Sequence, residues 1–206
     1  MSLDAKKSPF EFALSYPRED GWGAILKGGL TLLLSFLIVP YFVLFGYVFR
    51  LYRSAARDEP QPAYTDYVEL LKEGVWLFVA QLPFVAVVGL LGFISIEYIH
   101  PAVYVLVVLA AIYIGPAIIT VYAVTGDIGE TYTSTRVVDF AFTGFYAKHV
   151  AMYIPLAILL AVVTMLSALA LGVGILFGSA FATFAQASYW GRVYERAAAA
   201  GIVDPA

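Results

Sequence analysis

The stretch that decides the fold runs from residue 150 to residue 191 and contains no charged side chain: VAMYIPLAILLAVVTMLSALALGVGILFGSAFATFAQASYWG. A bilayer's hydrocarbon is about 30 Å thick, so a helix crosses it once in about 20 apolar residues. The stretch is about twice that length and must fold back on itself. We place the reversal near Leu171-Gly172-Val173-Gly174, because glycine adopts tight turns easily. The stretch therefore predicts two membrane helices.

Three more uncharged runs are long enough to cross a bilayer, at residues 28–49, 74–96 and 101–126. With the two helices above, they predict an all-α integral membrane bundle of about five transmembrane helices. The composition agrees, since 62% of the 206 residues are hydrophobic, 13% are charged and the mean hydropathy is +0.85. No room is left for a soluble catalytic domain. Prolines inside the first four crossings predict kinks at Pro40, Pro83, Pro116 and Pro155.

Two short amphipathic helices are expected at the membrane interface, at residues 66–73 and 136–148, each just before a span. In the first of them, Asp66 and Glu69 match a variant of the capping box. Each short helix precedes a pair of spans, so the chain resembles a helix-plus-hairpin unit used twice.

Positive charge predicts the orientation of the bundle. The connections that would share a face with the C-terminus hold eight Lys and Arg residues, against four before residue 28. The more positive face is expected to be cytoplasmic. The predicted organisation is an external N-terminal tail over 1–27, a bundle over 28–196 and a cytoplasmic C-terminal tail over 197–206, in a multi-pass protein of the cytoplasmic membrane.

Arginines and tyrosines recur where the first and last spans leave the membrane. Aligning Arg50 with Arg192 also places Tyr52 on Tyr194. Aromatic rings at headgroup depth with arginines just beyond are typical interfacial anchors, and clustered arginines also bind anionic lipid. The predicted headgroup or anchor residues are Arg50, Arg53, Arg192, Arg196, Tyr52 and Tyr194.

The first span and its exit also carry a resemblance to a known family. Gly28-Gly29-Leu30, Pro40, Gly46-Tyr47 and Arg50, followed by a proline-rich loop and Asp66-Tyr67, resemble a domain-of-unknown-function family of archaeal multi-pass membrane proteins. The resemblance extends over nearly the whole chain. It implies an integral membrane protein of the cytoplasmic membrane and brings no activity and no functional residue with it.

The residues needed for chemistry are scarce. The chain has no cysteine and two histidines, His100 and His149, and the predicted spans contain no Asp, Glu, Lys, Arg or His. Glu97 and His100 lie close in sequence, but zinc needs three or four ligands. We find no nucleophile with a base and no phosphate-binding loop with its lysine. The sequence predicts no catalytic residue, no metal and no cofactor, and the net charge of -3 does not favour nucleic acid.

Polar and small residues inside the predicted spans suggest packing roles. Gln81 and Gln186 are the glutamines at membrane depth, where a hydrogen bond between helices is favoured over a substrate site. Gly174, Gly178 and Ala182 recur every four residues and predict a ridge on which another helix packs closely.

These features favour a non-enzymatic membrane protein, accessory or scaffolding in role or interacting with lipids. Its expected partners are membrane lipids, with anionic lipids matched to the arginines, and another membrane protein or a second copy. The alternative is a small permease or channel with a path between the two hairpins, which predicts a water-accessible cavity around Gln81 and Gln186.

Overall fold

A computed structural model describes residues 7–169 and 173–206, and these residues form helices joined by turns and short loops. The α-helices of this described part are α1 (Pro9–Ser15), α2 (Gly23–Leu33), α3 (Val39–Ala56), α4 (Tyr67–Ile94), α5 (Pro101–Thr125), α6 (Ile128–Thr133), α7 (Arg136–Ala141), α8 (Gly144–Ser167) and α9 (Gly174–Ala199). The all-α prediction is confirmed. The predicted reversal near Leu171-Gly172 falls partly outside the described residues.

Within residues 7–169 and 173–206, three helices are long and apolar enough to cross a membrane, which indicates a membrane-embedded protein. They are Tyr67–Ile99, in which a π-helical turn extends α4, then Pro101–Thr125 and Gly144–Ser167. Little of each span's most apolar part is buried inside the protein. Pro83, Pro116 and Pro155 lie inside these helices, as predicted. The count of five crossings is not confirmed.

The first predicted span, residues 28–49, is wrong as a continuous helix. Helix α2 ends at Leu33, a short 3₁₀ turn follows, and α3 begins at Val39. Ile38 has φ +63°, which a β-branched residue rarely adopts. Pro40 therefore lies in the first turn of α3, where its missing N–H costs no hydrogen bond, and not at an internal kink.

Helices α3 and α9 form the centre of the bundle. Gly191 of α9 lies against the backbone of Tyr52 in α3, where an added Cβ would come within 2.5 Å of the Tyr52 carbonyl oxygen. Helices α1, α2 and α8 pack around α9, while α4 and α5 pack on α3. Close backbone contact replaces side-chain interdigitation at this crossing, because glycine has no Cβ.

A pair of glycines makes the α3–α4 crossing still closer. A Cβ on Gly46 would overlap the Leu70 carbonyl oxygen, and a Cβ on Gly74 would overlap that of Phe42. This crossing holds the exit of α3 beside the entry of α4 and so positions the charged residues described below.

The described part of the predicted external tail, residues 7–27, packs on the bundle from the start of α1. Phe12 and Tyr16 are buried, Tyr16 Oη donates to the Glu59 carbonyl over 2.8 Å, and Arg196 Nη2 donates to the Lys7 carbonyl over 2.5 Å. These bonds place residue 7, the loop over 57–66 and the end of α9 at one end of the protein. The prediction that a crossing separates the N-terminal tail from the C-terminus does not fit them.

The two predicted interfacial helices differ in the structure from their predicted bounds. Residues 67–73 are the first turns of α4, and Asp66 precedes that helix without a side-chain capping bond. Residues 136–148 divide into α7 and the start of α8, because Thr143 caps α8 by accepting the Tyr146 N–H over 3.0 Å. A hydroxyl at the N-cap satisfies an otherwise unpaired amide, so it favours a new helix start there.

Candidate functional site

The structure gives each of the four predicted arginines a different partner. Arg50 Nε pairs with Glu73 Oε2 at 2.5 Å, and Arg53 Nε donates to the Ala123 carbonyl over 3.1 Å. Arg192 Nη1 pairs with Asp58 Oδ1 at 2.7 Å, while Arg196 bonds the backbone near the N-terminus. The ends of α3 and α9 do meet, but their arginines are directed to separate contacts.

Three of the predicted anchor residues lie inside the protein. Arg192 is 1% exposed, Tyr52 is 3% exposed and Tyr194 is 1% exposed. Arg192 also lies over the Phe12 ring, with Cζ 4.9 Å from the ring centroid. Side chains with so little surface have no area to offer a lipid headgroup, so a headgroup role is left to the partly exposed Arg50, Arg53 and Arg196.

Arg53 borders a cavity of about 420 Å³ at the polar ends of α3, α4 and α5, which we call the Arg53 cavity. Its wall combines aromatic rings, one arginine, two carboxylates and the backbone that enters α6. The lining residues are Phe49, Arg53, Glu73, Trp76, Tyr122, Gly126, Asp127, Ile128 and Gly129.

The Arg53 side chain is held in place while most of its donors stay uncommitted. Its Cζ lies 4.5 Å from the Phe49 ring centroid, and among the described residues its one hydrogen bond runs from Nε to the Ala123 carbonyl. Within the described residues Arg53 makes no ion pair. Gly126 has φ +70°, a conformation that favours glycine, and lies beside the guanidinium, where a Cβ would be 3.9 Å from Arg53 Nη2. The two Nη groups are therefore available to a ligand.

The charges around Arg53 leave it cationic. Partial burial lowers the pKa of the guanidinium, an effect that Glu73 opposes, and arginine stays charged across the accessible pH range. Glu73 is engaged by Arg50. Asp127 caps α6, since its Oδ1 accepts the Glu130 N–H over 2.8 Å. Both carboxylates thus have their own partners, and the arginine is the group able to bind an anion.

Gln81 and Gln186 lie on different helices with different neighbours. Gln81 lies on α4, which packs on α3 and α5, whereas Gln186 lies on α9 among α1, α2, α3 and α8. Neither lines the Arg53 cavity or the larger apolar cavity described below. Gln81 Nε2 is buried with no hydrogen-bond partner in the described structure.

The middle residue of the predicted ridge, Gly178, lies where α9 packs on α8. A Cβ on Gly178 would come within 3.0 Å of Thr164 Cα and would overlap Ser167 Oγ, so this glycine faces α8. Ala182 is partly buried against the core, and Gly174 and Gly178 both line an apolar cavity beside α2.

The remaining candidates from the sequence have local structural roles. His100 caps α5, because its Nδ1 accepts the Ala102 N–H over 3.1 Å. The His149 ring hydrogen-bonds the Phe145 carbonyl one turn earlier. No cluster of three or more His, Asp or Glu side chains suited to a metal is found across residues 7–169 and 173–206.

The sequence reading missed Glu73, Trp76 and Asp127 as neighbours of Arg53. Phe49 and Arg53 are four residues apart in one helix, a spacing that brings an aromatic ring and a cation together. This pair could therefore have been predicted from the sequence. The other neighbours come from separate helices, which no local pattern brings together.

Comparison with known proteins identifies a family without an assigned function. A family model described as "Protein of unknown function (DUF4013)" matches residues 29–173, which is more than half of the chain. No curated protein and no solved structure matches the chain. The domain-of-unknown-function part of the resemblance is confirmed, and archaeal origin stays a prediction.

Proposed function

Because this chain belongs to the DUF4013 family of proteins of unknown function, its role has to come from its own structure, and we propose that it is a non-enzymatic membrane component that binds lipid. The proposed ligand group is the phosphate of an anionic lipid, held by Arg53. Such a protein serves as an accessory or scaffold, acting on another membrane protein or a second copy through the lipid it holds.

The observation that carries this proposal is the cationic, anchored and uncommitted guanidinium of Arg53. The Phe49 ring and the Ala123 carbonyl fix its position, so little side-chain entropy is lost when an anion binds. Arginine presents paired N–H donors that match two oxygens of one phosphate. A preorganised arginine beside a cavity is therefore suited to a phosphate group.

The surroundings of the Arg53 cavity supply the reason for a lipid source. Trp76 is 58% exposed in α4, a helix able to span the membrane, and it lines the Arg53 cavity in the N-terminal part of that helix. Tryptophan and tyrosine at the ends of spans are typical of the headgroup region. A phosphate site in this position is within reach of bilayer lipids.

The experiment is native mass spectrometry of the protein released from nanodiscs that contain phosphatidylglycerol and phosphatidylcholine. Arg53→Gln is compared with Arg57→Gln, which removes the same charge from an exposed position one turn later. We expect Arg53→Gln to reduce retained phosphatidylglycerol about fivefold, the loss of about 1 kcal/mol expected for one specific hydrogen-bonded contact, and Arg57→Gln to leave it unchanged.

Two outcomes would count against the proposal. Equal losses in both variants would mean that the lipid follows general surface charge. Displacement of phosphatidylglycerol by millimolar inorganic phosphate, with no preference for the lipid, would identify a site for free phosphate instead.

A small permease or channel is the second candidate, and the buried, unpartnered Gln81 Nε2 is the observation that favours it. An amide with no partner at membrane depth is costly unless water or a solute reaches it. Since the chain has no cysteine, Gln81→Cys provides a single reporter. Modification by a charged, membrane-impermeant thiol reagent would support a water path, and protection from it would remove this candidate.

A further inference from the structure

A second cavity, of about 560 Å³, lies between the N-terminal segment and the α8–α9 pair. Its wall is largely apolar, and Arg18 is the charged residue that lines it. The other lining residues on which the inference depends are Trp22, Ile25, Val163, Phe177 and Phe181. This is the α2/α9 cavity.

The α2/α9 cavity has a closed floor and an open rim. Ile25 is 2% exposed and Gly178 is buried, so these residues close the inner end of the cavity. Trp22 and Leu26, at the rim, are 59% and 54% exposed. A cavity of this size with an apolar wall falls in the range that holds small apolar ligands. The open side is apolar, so an alkyl chain can enter from the bilayer.

Arg18 gives the rim a positive charge. Its Nε donates to the Leu14 carbonyl over 3.1 Å, and its Cζ lies 5.7 Å from the Trp22 ring centroid and 5.8 Å from that of Phe181. Within the described residues it makes no ion pair, and its acidic neighbour Glu19 accepts the Gln61 N–H over 3.4 Å instead. The two aromatic rings orient the guanidinium beside the opening.

We propose that the α2/α9 cavity binds a single-chain anionic amphiphile, with its alkyl chain on the apolar floor and its carboxylate at Arg18. Charge complementarity at the rim and an apolar interior are the two requirements of such a ligand, and the cavity supplies both. This site is separate from the Arg53 cavity and does not depend on the function proposed for it.

The test uses the fluorescence of Trp22, which lines the cavity. Dibromostearate quenches a tryptophan only at close range, so it reports an alkyl chain beside this ring. The Trp76→Phe background removes the other strongly exposed indole, and Trp190 stays buried at 1% exposure. We expect saturable quenching in detergent, and Arg53→Gln should leave it unchanged.

Filling the cavity separates specific binding from partition into detergent. Val163→Phe replaces a small side chain that lines the cavity with a phenyl ring, which fills the space. The neighbouring Val162 is 45% exposed and does not line the cavity. Val163→Phe should abolish the saturable quenching, and Val162→Phe should preserve it. Equal, non-saturable quenching in both variants would overturn the proposal.

The charge at the rim is tested at an exposed position that tolerates substitution. Arg18→Gln should weaken dibromostearate binding about two- to fivefold, as expected for an exposed ion pair, and leave the uncharged methyl ester unaffected. An equal loss for acid and ester, or no loss for either, would overturn the role of Arg18. This variant keeps the test decisive even if Val163→Phe fails to fold.

Discussion

Arg192 and Asp58 form an ion pair of 2.7 Å across 134 positions of the sequence, and the arginine is 1% exposed. The pair ties the last turns of α9 to the loop that follows α3. Glu195 lies 3.3 Å from the same Nη1 atom, so the cation lies between two carboxylates. An arginine that a sequence reading assigns to the membrane surface is thus an internal connection of the bundle.

Breaking this connection should destabilise the protein. Arg192→Gln leaves the partly exposed carboxylates of Asp58 and Glu195 without their cation and should lower the free energy of unfolding by about 1–3 kcal/mol. Asp58→Asn keeps a side chain that tolerates the φ of +53° at this position and leaves Glu195 as the carboxylate partner of the buried Arg192, so its effect, also about 1–3 kcal/mol, reports the lost charge. Denaturation in detergent measures both, and Arg57→Gln, with unchanged stability, is the control.

The α3–α4 crossing should reject a single methyl group. Gly46→Ala and Gly74→Ala each place a Cβ on a facing carbonyl oxygen and should cost at least about 1–3 kcal/mol, as expected for overpacking. Gly89 lies in α4 with Gly74, and a Cβ there meets nothing within 4 Å, so Gly89→Ala should be neutral or stabilising by about 0.5–1 kcal/mol. Thermal melts of the three variants decide this. Equal melting temperatures would mean that the crossing is looser than described.

Gly178 provides a test in which a second substitution restores stability. Gly178→Ala should lower the melting temperature because its Cβ overlaps Ser167 Oγ. Adding Ser167→Ala removes that oxygen and should recover part of the loss, so the two substitutions should be non-additive. Ser167→Ala alone, which only removes a hydrogen bond to the Thr164 carbonyl, is the matched single variant. Strict additivity would place Gly178 away from α8.

The shared end of the N- and C-terminal segments predicts a labelling pattern. Asp20 and Arg57 are exposed near the loop over 57–66, and Tyr98, 75% exposed, lies between α4 and α5. In this cysteine-free chain, Asp20→Cys and Arg57→Cys should react with an impermeant thiol reagent from one side of sealed vesicles, and Tyr98→Cys from the other. Labelling of positions 20 and 98 from the same side would contradict this arrangement and support the predicted external tail.

Hydrophobic composition alone determined that this is a helical membrane protein. Long uncharged runs have one stable solution in lipid, since helices satisfy their own backbone, and the spans with Pro83, Pro116 and Pro155 follow from that rule. Local patterns also suffice for Phe49 and Arg53, which meet within one helix.

Only the tertiary structure decided the break between α2 and α3 and the partners of the charged residues. The apolar run over 28–49 suits a continuous helix and a broken one equally well; in the structure Gly28 and Gly29 pack against α9, and the chain leaves the α2 direction after Leu33. Likewise, Arg192 finds Asp58 only because Gly191 brings α9 onto α3. Charge is a property of the residue, whereas its partner depends on which distant backbones come together.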